Sequence, residues 1–133
     1  MSSQTRPPAL VAATVILALE AALAVVLAVV LLVEVVVAPS ASIGAGIALA
    51  VLAVIAAAWV VAIALGLWRG RAWTRAAGIV WQVLQAGVGF GALQGAFAAP
   101  AWGWPLLGAA VVGILLLMTK SVGTALGSED RRR

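Results

Sequence analysis

The sequence predicts an all-α membrane protein: four transmembrane helices in an antiparallel bundle, both termini cytoplasmic. Three observations carry that prediction. Of the 133 residues, 65% are hydrophobic and only 9% charged, whereas soluble domains are about 45–50% apolar. The apolar residues fall into long uninterrupted stretches, and a spanning helix needs about 20 of them at 1.5 Å each. All eight Lys and Arg residues lie in or beside three short segments: Arg6; Arg69, Arg71 and Arg75; and Lys120 with Arg131, Arg132 and Arg133. Basic residues resist translocation, so alternation of basic and uncharged segments sets the orientation in the cytoplasmic (inner) membrane.

The first span is expected at about residues 9–38, after Pro7 and Pro8 and before Pro39. Proline suits helix starts and cannot continue a helix. This stretch is longer than the 7–15 residues of a signal h-region, so it reads as a retained helix that tilts or projects. Pro39-Ser40-Ala41-Ser42 is an uncharged turn, and the second span, about 43–68, has no ionisable group before Arg69. Gly70 breaks the chain inside the basic hairpin, and Thr74 is placed to cap a third span at about 74–98. An outer loop at 99–104 leads to Pro105, which suits the first turn of a shorter fourth span, about 104–119. The tail, 121–133, is rich in Gly, Ser and charge and is expected to fray. The whole chain is one domain. Trp68 and Trp73 fall at one expected interface and Trp102 and Trp104 at the other, where an indole keeps its ring apolar and its N–H wet. Trp59 and Trp81 lie deeper and read as packing filler.

Few strongly polar side chains fall within the spans: Glu20, Glu34, Gln82, Gln85 and Gln94. A central charged residue costs about 2.5–3.5 kcal/mol on insertion scales, so such groups face protein or water. Counting from Ala9 places Glu20 about 16 Å deep, near the midplane, and counting from Thr74 places Gln82 and Gln85 at about 12 and 16 Å. These three residues are therefore the candidate proton or ligand site. Glu34 returns to nearly the same face near the outer surface, and Gln94 lies toward its end. Gln82 and Gln85 share a face with Gly78 and Gly89. A second small-residue face, Gly87, Gly91 and Gly95 joined by Gln94, has the GxxxGxxxG spacing that lets helix backbones approach closely. The third helix is thus expected to be buried on two sides. Arg69, Arg71 and Arg75 read first as topology determinants, with lipid headgroups as neighbours.

Enzyme classes are disfavoured. The chain has no His, Cys or Tyr, one Asp in the tail and one Lys at a membrane edge. Acid–base and nucleophile pairs are hard to assemble from such a set. No catalytic residue, no metal site and no cofactor is expected. The net charge of +4 flanks apolar spans rather than covering a solvated face, so nucleic acid is not an expected partner. The expected partners are the bilayer and either further copies of the chain or a larger membrane complex.

Two resemblances add to this reading. The stretch Leu67-Trp68-Arg69-Gly70-Arg71-Ala72-Trp73-Thr74-Arg75, followed by Gln82 and Gln85, resembles small four-span membrane proteins of high-GC actinobacteria. Gln94-Gly95 and Trp102-Gly103-Trp104-Pro105-Leu106 extend the likeness over the second half of the chain. It implies fold and location, and no activity. In layout alone the chain is similar to the small multidrug resistance transporters, which also have four short helices and one membrane-embedded Glu in the first; Glu20 is the matching residue. The chain departs from them in its second glutamate and in lacking their aromatic-rich cavity surface. The expected function is a structural, accessory or assembly subunit without catalytic activity. The alternative is a proton-coupled small-molecule transporter, for cations or drugs, that uses Glu20.

Overall fold

A computed structural model describes residues 5–37, 42–96 and 99–131. Every regular element among them is helical: α1 (Pro8–Val37), α2 (Ile43–Trp68), α3 (Trp73–Leu93), a 3₁₀ turn (Pro100–Trp102), α4 (Gly103–Met118) and α5 (Lys120–Asp130). Four helical stretches, with α4 counted from Pro100, are long and apolar enough to cross a membrane. That is the architecture of a multi-pass membrane protein. In hydrocarbon the backbone must satisfy its own hydrogen bonds, which is why uniformly apolar sequence settles as helix here.

α1 packs along α2 and α3 along α4, and the two pairs join through α1 with α4 and α2 with α3. The core is largely aliphatic, with Leu17, Ile63, Leu67 and Leu117 among its fully buried side chains. Most large apolar residues point outward instead, among them Leu19, Leu23, Leu52 and Leu115. An aqueous domain would invert that distribution; a bilayer-facing one need not.

The loop between α2 and α3 is built by glycine. Gly70 has φ 72°, a region that costs any residue with a Cβ. The Arg71 N–H bonds Gly66 O at 2.9 Å and the Gly70 N–H bonds Leu67 O at 3.0 Å. This paired arrangement satisfies the last carbonyls of α2. A Cβ on Gly66 would overlap the Thr74 methyl group, so the close turn also requires a bare backbone there.

Basic side chains then tie helix ends together. Arg6 donates from Nη1 to Trp68 O at 2.6 Å, and its guanidinium lies 4.3 Å from the Trp68 ring centroid. Arg75 donates from Nε to Leu117 O at 2.8 Å. Each cation meets the carbonyl-rich, partially negative C-terminal end of a neighbouring helix.

Three expectations shift. The third helix stops at Leu93 rather than near 98, because Gly95, at φ 83°, repeats the Gly70 device: its N–H bonds Ala92 O, and the Ala96 N–H bonds Gly91 O. The fourth begins one residue early, at Gly103, after the 3₁₀ turn. The expected frayed tail is helix α5, in which Val122 and Leu126, one turn apart, are buried against the core. Two apolar anchors at that spacing are enough to dock a short helix whose composition is otherwise polar. Ala38, the expected end of the first span, Pro39, Ser40 and Ala41 of the expected turn, Ala98, the expected end of the third span, and Arg132 and Arg133 lie outside the described residues.

Candidate functional site at the bundle centre

α3 buries one continuous stripe: Thr74, Gly78, Gln82, Gln85, Gly89 and Ala92. The spacing follows the helical repeat, so every member faces the same way. At the ends the glycines let neighbouring helices approach closely. A Cβ at Gly89 would lie 3.1 Å from Gly103 O, and one at Gly78 would lie 2.9 Å from the Leu117 side chain. Between them the stripe is polar, and it meets Glu20 of α1.

Glu20 accepts three hydrogen bonds from α3. Trp81 Nε1 and Gln82 Nε2 donate to Oε2 at 3.0 and 2.9 Å, and Gln85 Nε2 donates to Oε1 at 3.1 Å. Gln85 Nε2 also reaches Leu106 O of α4 at 3.3 Å. All three donors are neutral. The described basic side chains belong to the helix ends and the loop, so no cation accompanies the carboxyl. The arrangement spans the whole bundle. α1 supplies the acceptor and α3 the donors, α4 supplies the surface behind Gln82, and α2 places Trp59 edge-on to Trp81 with ring centroids 6.3 Å apart.

Gly113 of α4 makes the seat for Gln82. A Cβ there would come within 2.6 Å of the Gln82 amide carbon and nitrogen, nearer than real Cβ contacts come. Gln82 is fully buried, and its Oε1 has no hydrogen-bond partner. Leaving a buried carbonyl oxygen unpaired costs about 1–3 kcal/mol. Glu20 itself is half-buried.

The residues singled out by depth, Glu20, Gln82 and Gln85, therefore come together. Trp81, read from the sequence as filler, belongs with them. The available signal was its indole N–H: deep in a bilayer it needs an acceptor, and Glu20 is the acidic residue at that level. Trp59 contributes through its ring.

The second small-residue face of α3 is open at the two positions whose surroundings are described. Gly87 is exposed, with nothing within 4 Å of a Cβ built on it, and Gly95 lies past the helix end with the same open space. Gln94 is the exposed residue that closes α3. Among the described residues neither Gly87 nor Gly95 lies against another helix, and the fully buried residues of α3 form one stripe. Glu34 is exposed on the far part of α1. Arg69 and Arg71 are exposed, whereas Arg75 is half-buried against α4 and α5, close beside Gly123. Among the described residues no three His, Cys, Asp or Glu side chains gather as a metal site would require.

Comparison of the chain with protein-family models, curated proteins and solved structures finds no match. The reading of the site rests on its own geometry.

Proposed function

We propose that the chain is a structural, accessory or assembly subunit of the cytoplasmic membrane, without catalytic activity. Its four spans form an antiparallel bundle with both ends on the cytoplasmic side. One observation carries this reading: both oxygens of the deep carboxyl are occupied by donors from α3. In that arrangement Glu20 works as a polar clasp that sets the register of the first helix pair against the second. Interhelical hydrogen bonds of this kind contribute about 0.6–2 kcal/mol each in membrane proteins. The gathering of Arg6, Arg69, Arg71, Arg75 and Lys120 near the ends of α2 and α4 supports the orientation.

Two experiments test it. Thiol labelling is clean because the native chain has no Cys. Ala101→Cys should react from outside the cell and Thr124→Cys only after permeabilisation; the reverse pattern would sink the topology. Both positions are exposed. Gly103, in contrast, is buried against α3 and unsuited to a probe. For the subunit role, purification in mild detergent should yield a defined assembly with other chains or further copies. A monodisperse lone monomer contradicts it.

A second reading, proton-coupled transport of a cationic small molecule, draws on a separate feature. Glu20 stays half-exposed, with the Trp81 indole on its oxygen and Trp59 edge-on behind. A carboxylate beside indole rings is chemistry that suits an organic cation. Glu20→Gln decides between the readings. Loss of proton-linked flux in proteoliposomes from a folded variant favours transport, and unchanged folding, abundance and flux favour the clasp.

A further inference from the structure

Gln82 is the side chain that the clasp leaves half used. Its amide nitrogen serves Glu20, while its oxygen, fully buried, faces no donor. Trp81 offers only a donor, and Gln85 already divides its nitrogen between Glu20 and Leu106 O. Gln82 is therefore the member of the cluster whose acceptor is both buried and unpaired. The two ends of a primary amide are nearly the same size, so reversing the group changes its hydrogen bonding without changing its volume. In the reversed orientation Oε1 would occupy the nitrogen's place, 2.9 Å from Glu20 Oε2. That separation fits an O–H···O bond.

We propose that Glu20 and Gln82 form a two-state proton site at the bundle centre, in which reversal of the Gln82 amide converts it from donor to an ionised carboxylate into acceptor of the Glu20 proton. The inference deepens the clasp reading and rests on it for the Glu20–α3 pairing alone. In the ionised state three N–H groups serve the two carboxylate oxygens, as the structure shows. In the neutral state the proton on Oε2 is donated to Gln82 Oε1, Gln85 still donates to Glu20 Oε1, and Trp81 still donates to Oε2. No backbone needs to move, because Gly113 leaves room for the amide in either sense. Each state leaves one end of the Gln82 amide unpaired, the oxygen in one and the nitrogen in the other, so the two are comparably satisfied. The site thus keeps α1 joined to α3 whether or not it carries a proton.

The groups facing Glu20 leave the assignment unambiguous. α3 presents Trp81, Gln82 and Gln85, α2 presents Trp59 behind Trp81, and α4 presents Gly113 and the Leu106 carbonyl; none of these is a charged or acid-titrating side chain. Glu34 lies on the far part of α1, and the described cations belong to the helix ends and the loop.

Infrared difference spectroscopy of the intact protein in detergent, between acid and neutral pH, reads both halves of the event. Glutamine carrying ¹³C in the side-chain amide separates its carbonyl band from the backbone, and the chain has only four glutamines. The expected result is a carboxylic-acid band that appears on acidification together with a shift of one glutamine carbonyl band to lower frequency. In Glu20→Gln the amide shift and the Glu20 part of the acid band should be absent, while the bands of the other carboxyls, Glu34, Glu129 and Asp130 among them, remain. Gln82→Leu should abolish the amide shift, and Gln85→Leu should retain it. A carboxylic-acid band that Glu20→Gln removes but that no amide shift accompanies overturns the proposal, as does an amide shift that survives in Gln82→Leu or an acid band that Glu20→Gln leaves unchanged. Because the labelled wild type supplies the primary reading, a variant that folds poorly does not remove the test. None of these outcomes depends on whether the protein has partner subunits.

Discussion

The two small-residue faces of α3 look alike in sequence and differ in the fold. One carries Gly78, Gln82, Gln85 and Gly89 and is buried from end to end. The other carries Gly87, Gly91 and Gly95; Gly87 stands exposed, and Gly95 lies beyond the helix. Regular glycine spacing permits close approach but does not supply a reason for it. The buried face has that reason in its amides, which need partners in hydrocarbon and find them on Glu20. Polar groups at matched depth choose the face, and small residues then let it close.

The comparison is easiest to break at Glu20. Glu20→Leu removes the carboxyl that three donors serve, two of them on buried glutamines, and the expected loss is about 2–4 kcal/mol. Reversible unfolding in mixed micelles measures it, and a loss near zero would remove the clasp. Next is Gly113→Val, which drives a side chain into the Gln82 amide. Overpacking of this type costs about 1–3 kcal/mol, and the same assay should show it. If the variant is as stable as the parent, Gln82 is not seated against α4.

The exposed series is expected to split. Gly95→Ala places a Cβ at φ 83° and should cost about 1 kcal/mol. Gly87→Ala, with open space around it, should be neutral or raise stability by about 0.5–1 kcal/mol through helix propensity. Equal destabilisation by both would mean that Gly87 and Gly95 share one packing surface, against the division of α3 described above. Crosslinking yields for the Gly87 variant in membranes sharpen the point: unchanged oligomer yields are expected if that face meets lipid.

Much of the fold was legible because a bilayer enforces simple rules. The second span matches at both ends, the first starts one residue early and the fourth is shifted by a residue, since apolar length and proline speak plainly there. The end of α3 was misread because Gly95 satisfies two patterns at once, a packing repeat and a helix-ending turn. Only the backbone conformation separates them. α5 was hidden by its Gly, Ser and charged residues, which outnumber the two anchors Val122 and Leu126 that dock it. In the site, depth counting brought Glu20, Gln82 and Gln85 to one level. It could not reveal that Trp81 turns its N–H toward the same carboxyl, nor that Gly113 of another helix makes the seat for Gln82. Those depend on how α3 is rotated against α1 and α4, which no count along one chain contains.

The central claim is that Glu20 holds α3 by direct hydrogen bonds, and a double-mutant cycle tests it most directly. Glu20→Leu, Gln82→Leu and the double variant would be compared by reversible unfolding in the same mixed micelles. Direct pairing predicts that the double variant loses less than the sum of the single losses, with a coupling of about 1 kcal/mol. Losses that add to within about 0.3–0.5 kcal/mol, the range for independent sites, would contradict it.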